Sequence, residues 1–417
     1  MPSEAAPGPS HALTMRPGTG RAAAARRMGT ALLVGAAALL PSACIRSLLN
    51  VGKVIEGVAA DSVALNVVLI GDAGLPAPGG EPVMQALRRE IAGNPQRTIV
   101  VYLGDNIYPR GMVDSTETER RENERILDAQ LAPLLETGTR GIFVPGNHDW
   151  AAGAPQGWQA MRRQAAYVGA RGGDLVRVVP QGGCPGPVVL DFDDYLRLIV
   201  LDTQWWLHGE GPALKPYGRT SPCRSRTEED VVDSLRVDLA TAGTRRTVVV
   251  AHHPLVSGGE HGGYFDWPTY LFPLHPVARL GGIFARQDVS GREYRNMARH
   301  LERAFAAAPP LVYASGHEHN LQVFQERSIA RHLLVSGGGI YNHTTPVRAI
   351  TGSQYTRRAA GYMTLTFLYD GRVRLSVHVV DAAGQSTEDY SAWLETARIQ
   401  RPPAAGTAAP AAVPAPP

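Results

Sequence analysis

Five short runs in this chain place oxygen and nitrogen donors directly after apolar, β-branched stretches. Val67–Ile70 leads into Gly71-Asp72-Ala73-Gly74, and Val100–Leu103 into Gly104-Asp105-Asn106-Ile107-Tyr108. Gly141–Val144 leads into Pro145-Gly146-Asn147-His148-Asp149, Thr247–Val250 into Ala251-His252-His253-Pro254, and Leu311–Ala314 into Ser315-Gly316-His317-Glu318-His319. Each apolar run reads as a buried strand, so each donor falls at a strand's C-terminal end, where α/β sheets bind ligands. Two carboxylates (Asp72, Asp105), three imidazoles (His252, His317, His319) and the amide oxygen of Asn147 are the donors a pair of metal ions requires. Neighbouring cations repel, so the pair needs a bridging anion, and Asp105 at the end of a central strand suits that position. His317 and His319, two residues apart, point the same way in extended backbone. A lone Gly-Asp is usually a turn; it is the ordered set of five blocks that specifies a two-metal site.

The same blocks resemble the calcineurin-like metallophosphoesterases, and within them the purple acid phosphatases of the small, animal type. The family's Gly-Asp-x-Gly, Gly-Asp-x-x-Tyr, Gly-Asn-His-Asp/Glu, Val-x-x-His and Gly-His-x-His are met by Gly71–Gly74, Gly104–Tyr108, Gly146–Asp149, Val249–His252 and Gly316–His319. Other branches carry Asp-x-His in the first block; here Gly74 stands in place of that imidazole and Tyr108 is offered instead. The resemblance implies an α/β fold of two sheets forming a β-sandwich flanked by helices, in four layers. It also implies a first metal held by Asp72, Asp105, Tyr108 and His319, and a second by Asp105, Asn147, His252 and His317. A phenolate at Tyr108 implies Fe(III) at the first position, with Zn, Mn or Fe(II) at the second.

By the same resemblance, the activity is hydrolysis of phosphate monoesters through in-line attack of a metal-bound hydroxide. His148 corresponds to a histidine that contacts phosphate and assists the leaving group. His261 shares that role, and Asp149 orients His148 or a neighbouring ligand. The same clamp would serve a phosphodiesterase or nucleotide pyrophosphatase, and a non-catalytic metal- or phosphate-binding lipoprotein is a third reading. The remaining histidines, His208, His275, His300, His332, His343 and His378, read as surface or core. His253 faces away from the ligand His252 in extended backbone.

The elements that must position these groups follow a helix–strand alternation. Helices are expected over 81–92, 116–136, 155–168 and 228–240, the last with Thr227 as N-cap. Hairpins are expected within 187–203, around Asp193-Asp194, and between 362–369 and 372–380, around Asp370-Gly371. Residues 258–292 are rich in Gly, Pro and aromatics and read as a long loop shaping access, and the family resemblance leaves 263–292 unexplained. The metallophosphoesterase domain is expected at 66–380, after a linker at 44–65 and before a C-terminal extension at 381–417 ending in a disordered Pro/Ala tail.

At 417 residues a single large α/β domain is accommodated. Arg26-Arg27 before the thirteen apolar or small residues Met28–Leu40 reads as an export signal over 1–43, since a spanning helix needs roughly twenty. Leu40-Pro41-Ser42-Ala43-Cys44 resembles a lipobox and makes Cys44 a candidate lipid anchor, which places the protein in the periplasm, at the cell surface or on a membrane. The other two cysteines, Cys184 and Cys223, are expected to pair in an oxidising compartment. Net charge is +3, with Arg16, Arg21, Arg26 and Arg27 all in the targeting segment. No basic stripe interleaved with aromatics follows, so the partner expected is a small phosphorylated substrate and not a nucleic acid.

Overall fold

The computed structural model describes residues 50–208, 223–264 and 287–398. The chain divides into two units, Met1–Ile45 and Arg46–Pro417, and every element below belongs to the second. The expected export signal, Cys44 and the Pro/Ala tail lie outside the described residues, as does His275. Among the described residues, no helix is long and apolar enough to cross a membrane.

Two seven-stranded mixed sheets form the centre. In the first, β1 (Val63–Ile70), β2 (Thr98–Tyr102), β3 (Arg140–Phe143) and β4 (Val176–Val178) run parallel. On the far side of β1 the sheet continues antiparallel through β12 (Gly361–Leu368), β13 (Val373–Val380) and β14 (Ser386–Glu395). In the second, β6 (Leu196–Val200), β7 (Arg246–Val250), β8 (Val312–Ser315) and β10 (Ala330–Ser336) are parallel. Antiparallel strands complete it: β5 (Val188–Phe192) at one edge, β9 (Leu321–Glu326) and β11 (Ser353–Arg357) at the other.

Strand periodicity sorts the side chains into layers. Along β1, Val67 and Leu69 point into the space between the sheets, where they join Val101, Leu198, Val248 and Val250. Val68 and Ile70 point the other way, onto helices α1 (Pro82–Ala92), α2 (Arg120–Thr137) and α3 (Gly157–Gly172). On the outer face of the second sheet, Ile199 and Val249 meet the short turn α4 (Gln204–Leu207) and helices α5 (Glu228–Ala240) and α6 (Arg292–Phe305). The result is helix, sheet, sheet, helix, the four-layer sandwich expected.

Local signals act as read. Thr227 caps α5 through a reciprocal capping box with Asp230. Asp193-Asp194 turns β5 into β6, and Asp370-Gly371 turns β12 into β13. Strand β14 and helix α6 are among the elements that fall outside the sequence reading. Strand β14 lies beyond Val380 and pairs along β13, so the sheet passes the expected domain limit. Helix α6 buries Tyr294, Met297, Leu301, Ala304 and Phe305 at helical spacing, directly after the Gly- and Pro-rich stretch.

Cys184 and Cys223 are disulfide-bonded, as expected, across a separation of 39 residues. Closing a loop of that size corresponds to about 3–4 kcal/mol on the chain-entropy account. Reduction, or a Cys184→Ser/Cys223→Ser double variant, is expected to lower the urea midpoint accordingly. An unchanged midpoint in the reduced protein would show that the bridge adds nothing to stability.

Candidate metal centre

Five strand ends from both sheets converge at one end of the sandwich. Asp72 follows β1, Asp105 and Tyr108 follow β2, and Asn147 follows β3; His252 follows β7 of the second sheet, and His317 and His319 follow β8. Asp72, Asp105 and His317 have φ of 58°, 54° and 70°, the left-handed region that costs a non-glycine residue about 1–3 kcal/mol. Hydrogen bonds between the blocks hold them there. The Asp72 amide donates to the Gly104 carbonyl at 3.0 Å, and the His317 amide to Asp72 Oδ2 at 2.8 Å.

The side chains form two donor groups sharing Asp105. In the first, the Tyr108 hydroxyl lies 3.1 Å from Asp72 Oδ1, 3.2 Å from Asp105 Oδ2 and 3.0 Å from His319 Nε2. One phenolic proton cannot serve three such neighbours. In the second, Asn147 Oδ1 is 2.9 Å from His252 Nε2 and 3.1 Å from His317 Nδ1, and those two nitrogens are 3.2 Å apart. Asp105 Oδ2 reaches His252 Nε2 at 3.4 Å.

The outer nitrogens of these histidines decide what the inner ones can be. His252 Nδ1 faces the Leu103 carbonyl at 2.8 Å and His317 Nε2 faces the Gln287 carbonyl at 2.9 Å. A carbonyl only accepts, so both outer nitrogens carry protons. Were both rings neutral, the inner nitrogens would be lone pairs facing each other and an amide oxygen, so the pair calls for positive charge, either a proton on His252 or a metal ion. The hard-oxygen and imidazole donor set suits a divalent or trivalent metal. Charge preferences agree. Burial disfavours charge on His252, yet Asp105 and Asp72 raise it to about 9, so the pocket draws in positive charge. Burial also opposes ionisation of Asp105, but His252 and His148 hold its carboxyl well below the usual range.

Gly74 leaves no room for a side chain at its position in the first block. A Cβ at residue 74 would stand 2.6 Å from the backbone of Asp105, Asn106 and Ile107, and the Gly74 carbonyl accepts from the Tyr108 amide at 3.1 Å. The second block folds directly over the first. Without a cation, burial and the two carboxylates push the Tyr108 phenol well above its ordinary value; a bound metal would reverse that preference.

His148 lies beside the first donor group and His261 beside the second. His148 Nδ1 donates to the Pro109 carbonyl at 2.7 Å, which turns Nε2 towards Asp105 Oδ2 at 4.0 Å, and its ring lies 4.4 Å from that of Tyr108. His261 stacks on His317 with centroids 4.0 Å apart, and its Nδ1 meets Asp288 Oδ1 at 3.1 Å.

Of Asp149, His253 and His343 only the last is placed against expectation, and Asp149 takes the second of its two expected places, beside candidate ligands rather than His148. Asp149 does not meet the His148 ring: its carboxylate accepts from the amides of Gly146, Asn106 and Ile107 and from Asn106 Nδ2, at 2.8–3.2 Å. It therefore ties the second block to the third. His253 is fully buried, between Thr203 Oγ1 and Gln287 Oε1 at 2.8 Å each. His343, read as surface or core, lies at the site, its ring 4.1 Å from His319 and 5.3 Å from Tyr108, with Nδ1 buried and unpartnered. It arrives on the loop after β10, and nothing in its local sequence marks it. The tryptophans of the region are core: Trp150 is fully buried and donates to Asp202 Oδ2 at 2.8 Å, and Trp205 and Trp206 pack under α5 and α6.

Known proteins resemble this chain in sequence or in fold. Purple acid phosphatase 17 of Arabidopsis thaliana is 20% identical over 314 residues, covering 74% of this chain and 76% of that protein. Among solved structures, GAP50, described as the anchor in the inner membrane complex of Plasmodium, overlays with a TM-score of 0.50 at 15% identity, covering 79% of this chain and 88% of that one. A purple acid phosphatase from yellow lupin (Lupinus luteus) seeds overlays with a TM-score of 0.49 at 14% identity, covering 78% of this chain and 53% of that one. The family pattern described as calcineurin-like phosphoesterase matches residues 65–321, a span that takes in all seven candidate ligands. This chain belongs to the calcineurin-like phosphoesterase family.

Proposed function

We propose that the protein is a dinuclear-metal phosphatase acting on small phosphate monoesters, with Fe(III) beside Tyr108 and Zn, Mn or Fe(II) at the second position. The observation that carries this reading is Asp105, whose Oδ2 lies within 3.4 Å of both Tyr108 and His252 and so belongs to two donor groups at once. The fold is shared with a protein described as an anchor, so the residue set and not the architecture supports catalysis.

In this reading Asp72, Asp105, Tyr108 and His319 hold one ion, and Asp105, Asn147, His252 and His317 the other. When bound, such a pair polarises phosphoryl oxygens and activates water near neutral pH. The chain's own residues supply the rest. His148, its tautomer fixed by the Pro109 carbonyl, presents Nε2 beside Asp105, where it can hold a proton for the leaving oxygen. His261 stands against His317 and adds a second polar partner for a phosphate dianion. A monoester offers more negative charge to these flanking histidines than a diester does, which favours the monoester. The Cys184–Cys223 bridge supports an oxidising compartment, in keeping with an export signal at 1–43 and a lipid anchor on Cys44.

The test combines colour and turnover. Metal-quantified protein is expected to show a broad visible absorption band that disappears in Tyr108→Phe, and to hydrolyse 4-nitrophenyl phosphate faster than bis(4-nitrophenyl) phosphate. A colourless protein with two divalent ions would overturn the iron–phenolate assignment. Faster diester turnover would move the substrate class to phosphodiesters.

A further inference from the structure

Where the chain departs from the family resemblance, it comes back to the site at Gln287 and Asp288, and these consecutive residues touch three histidines. The Gln287 carbonyl accepts from His317 Nε2 at 2.9 Å, Gln287 Oε1 from His253 Nε2 at 2.8 Å, and Asp288 Oδ1 from His261 Nδ1 at 3.1 Å. We propose that Gln287 and Asp288 act as a positioning strap: they fix the tautomer and ring orientation of His317, His253 and His261, and so decide which imidazole nitrogens face the metal positions. This rests on reading the site as a dinuclear centre.

The assignment follows from who can donate. In this structure Gln287 Nε2 donates to Gln204 Oε1 at 3.1 Å and the side-chain oxygen of Gln287 faces His253. His253 Nε2 then carries the proton, and its Nδ1 lone pair meets the Thr203 hydroxyl at 2.8 Å. Both of its nitrogens are thereby engaged. This matters because His252, His253 and His317 otherwise form a buried group whose donor atoms lie within 4.8 Å of one another, a composition that could itself capture a metal. The strap withholds His253 from that group while turning His317 Nδ1 towards Asn147 and His252. Asp288 does for His261 what a carboxylate does for a histidine in many metal and catalytic sites, holding the ring against rotation.

The strap is itself anchored. Asp288 is 5% exposed, its carbonyl accepts from the Gly291 amide at 2.7 Å just before α6, and the Val289 amide donates to the His261 carbonyl at 3.1 Å. Tyr294 on the first turn of α6 donates to the Pro254 carbonyl at 2.6 Å, which locks the helix to the loop that bears His252 and His253. The burial of α6 against the second sheet thus sets the position of the strap.

Two readouts test the proposal. Long-range 1H–15N correlation spectra of metal-free protein report which ring nitrogen carries the proton. Wild type is expected to show His317 and His253 protonated at Nε2 and His261 at Nδ1. Asp288→Ala should turn His261 into a tautomer mixture, and Gln287→Ala should do so for His253, with Asp288→Glu restoring the wild-type His261 signal. In metal-loaded protein, Asp288→Ala is expected to cut kcat on an alkyl phosphate about tenfold more than on 4-nitrophenyl phosphate, because a displaced His261 no longer shares with His148 the assistance to the leaving oxygen, which matters most for a poor leaving group. A merely structural role would lower both equally. If wild type hydrolyses no phosphate ester, the functional reading fails and the spectra alone judge the strap. Ring signals unchanged in both variants would overturn the strap even in an active enzyme.

Discussion

An Asp105→Asn protein is expected to bind no more than one metal ion per chain and to lose turnover by about a thousandfold or more. The size of the effect follows from sharing. Asp105 Oδ2 is within 3.4 Å of donors in both groups, and Oδ1 accepts the His148 amide at 2.9 Å, so one carboxylate spans both positions and fixes the adjacent block. Losing one charge from a buried site that must hold two cations removes several kcal/mol of attraction, and each 1.4 kcal/mol is a factor of ten in rate. An amide retains the shape, so the change reports charge more than packing. Metal analysis beside steady-state kinetics gives the answer: two ions per chain with more than a tenth of the activity would exclude Asp105 as the shared ligand.

The second large effect is one of stability. Gly104 has φ of +94°, and a Cβ there would stand 2.5 Å from His252 Nδ1 and 2.7 Å from its Cγ. Gly104→Ala therefore combines a left-handed backbone, about 1–2 kcal/mol for a residue with a side chain, with a clash against a fully buried ring, about 1–3 kcal/mol more. The His252 ring cannot retreat freely, because its Nδ1 is bonded to the Leu103 carbonyl. The expected loss is roughly 2–5 kcal/mol in urea unfolding, together with loss of the second metal. A Gly104→Ala protein with wild-type stability and metal content would show that the β2 loop has more room than its geometry allows. Comparison with Gly57→Ala, where a Cβ would meet nothing within 4 Å, controls for the substitution itself.

The five strands that carry the donors, and the donors at their ends, are legible in the chain alone. Short apolar runs broken by Gly-Asp, Gly-Asn-His or Gly-His-x-His are local signals, and a residue placed just past a buried strand has few directions in which to point. Strand alternation puts Val67 and Leu69 on one face and Val68 and Ile70 on the other, but in an all-apolar run only packing decides which face meets the second sheet. Helix α6 was also written in the chain, in the spacing of Tyr294, Met297, Leu301, Ala304 and Phe305, but it follows a stretch whose composition signals a loop. The tertiary structure decided what no local pattern carries. It put Asp72, Asp105 and Asn147 on one sheet and His252, His317 and His319 on the other, so the site exists only where the two sheets meet. It brought His343 against His319, chose for Asp149 the loops beside Asp105 and Asn147 over the His148 ring, and laid Gln287 and Asp288 across three histidines. These contacts join residues far apart in sequence, and they depend on sheet order and on where α6 docks. A hydrogen bond has a reach of about 3 Å, so its partner is specified only once packing has fixed both ends.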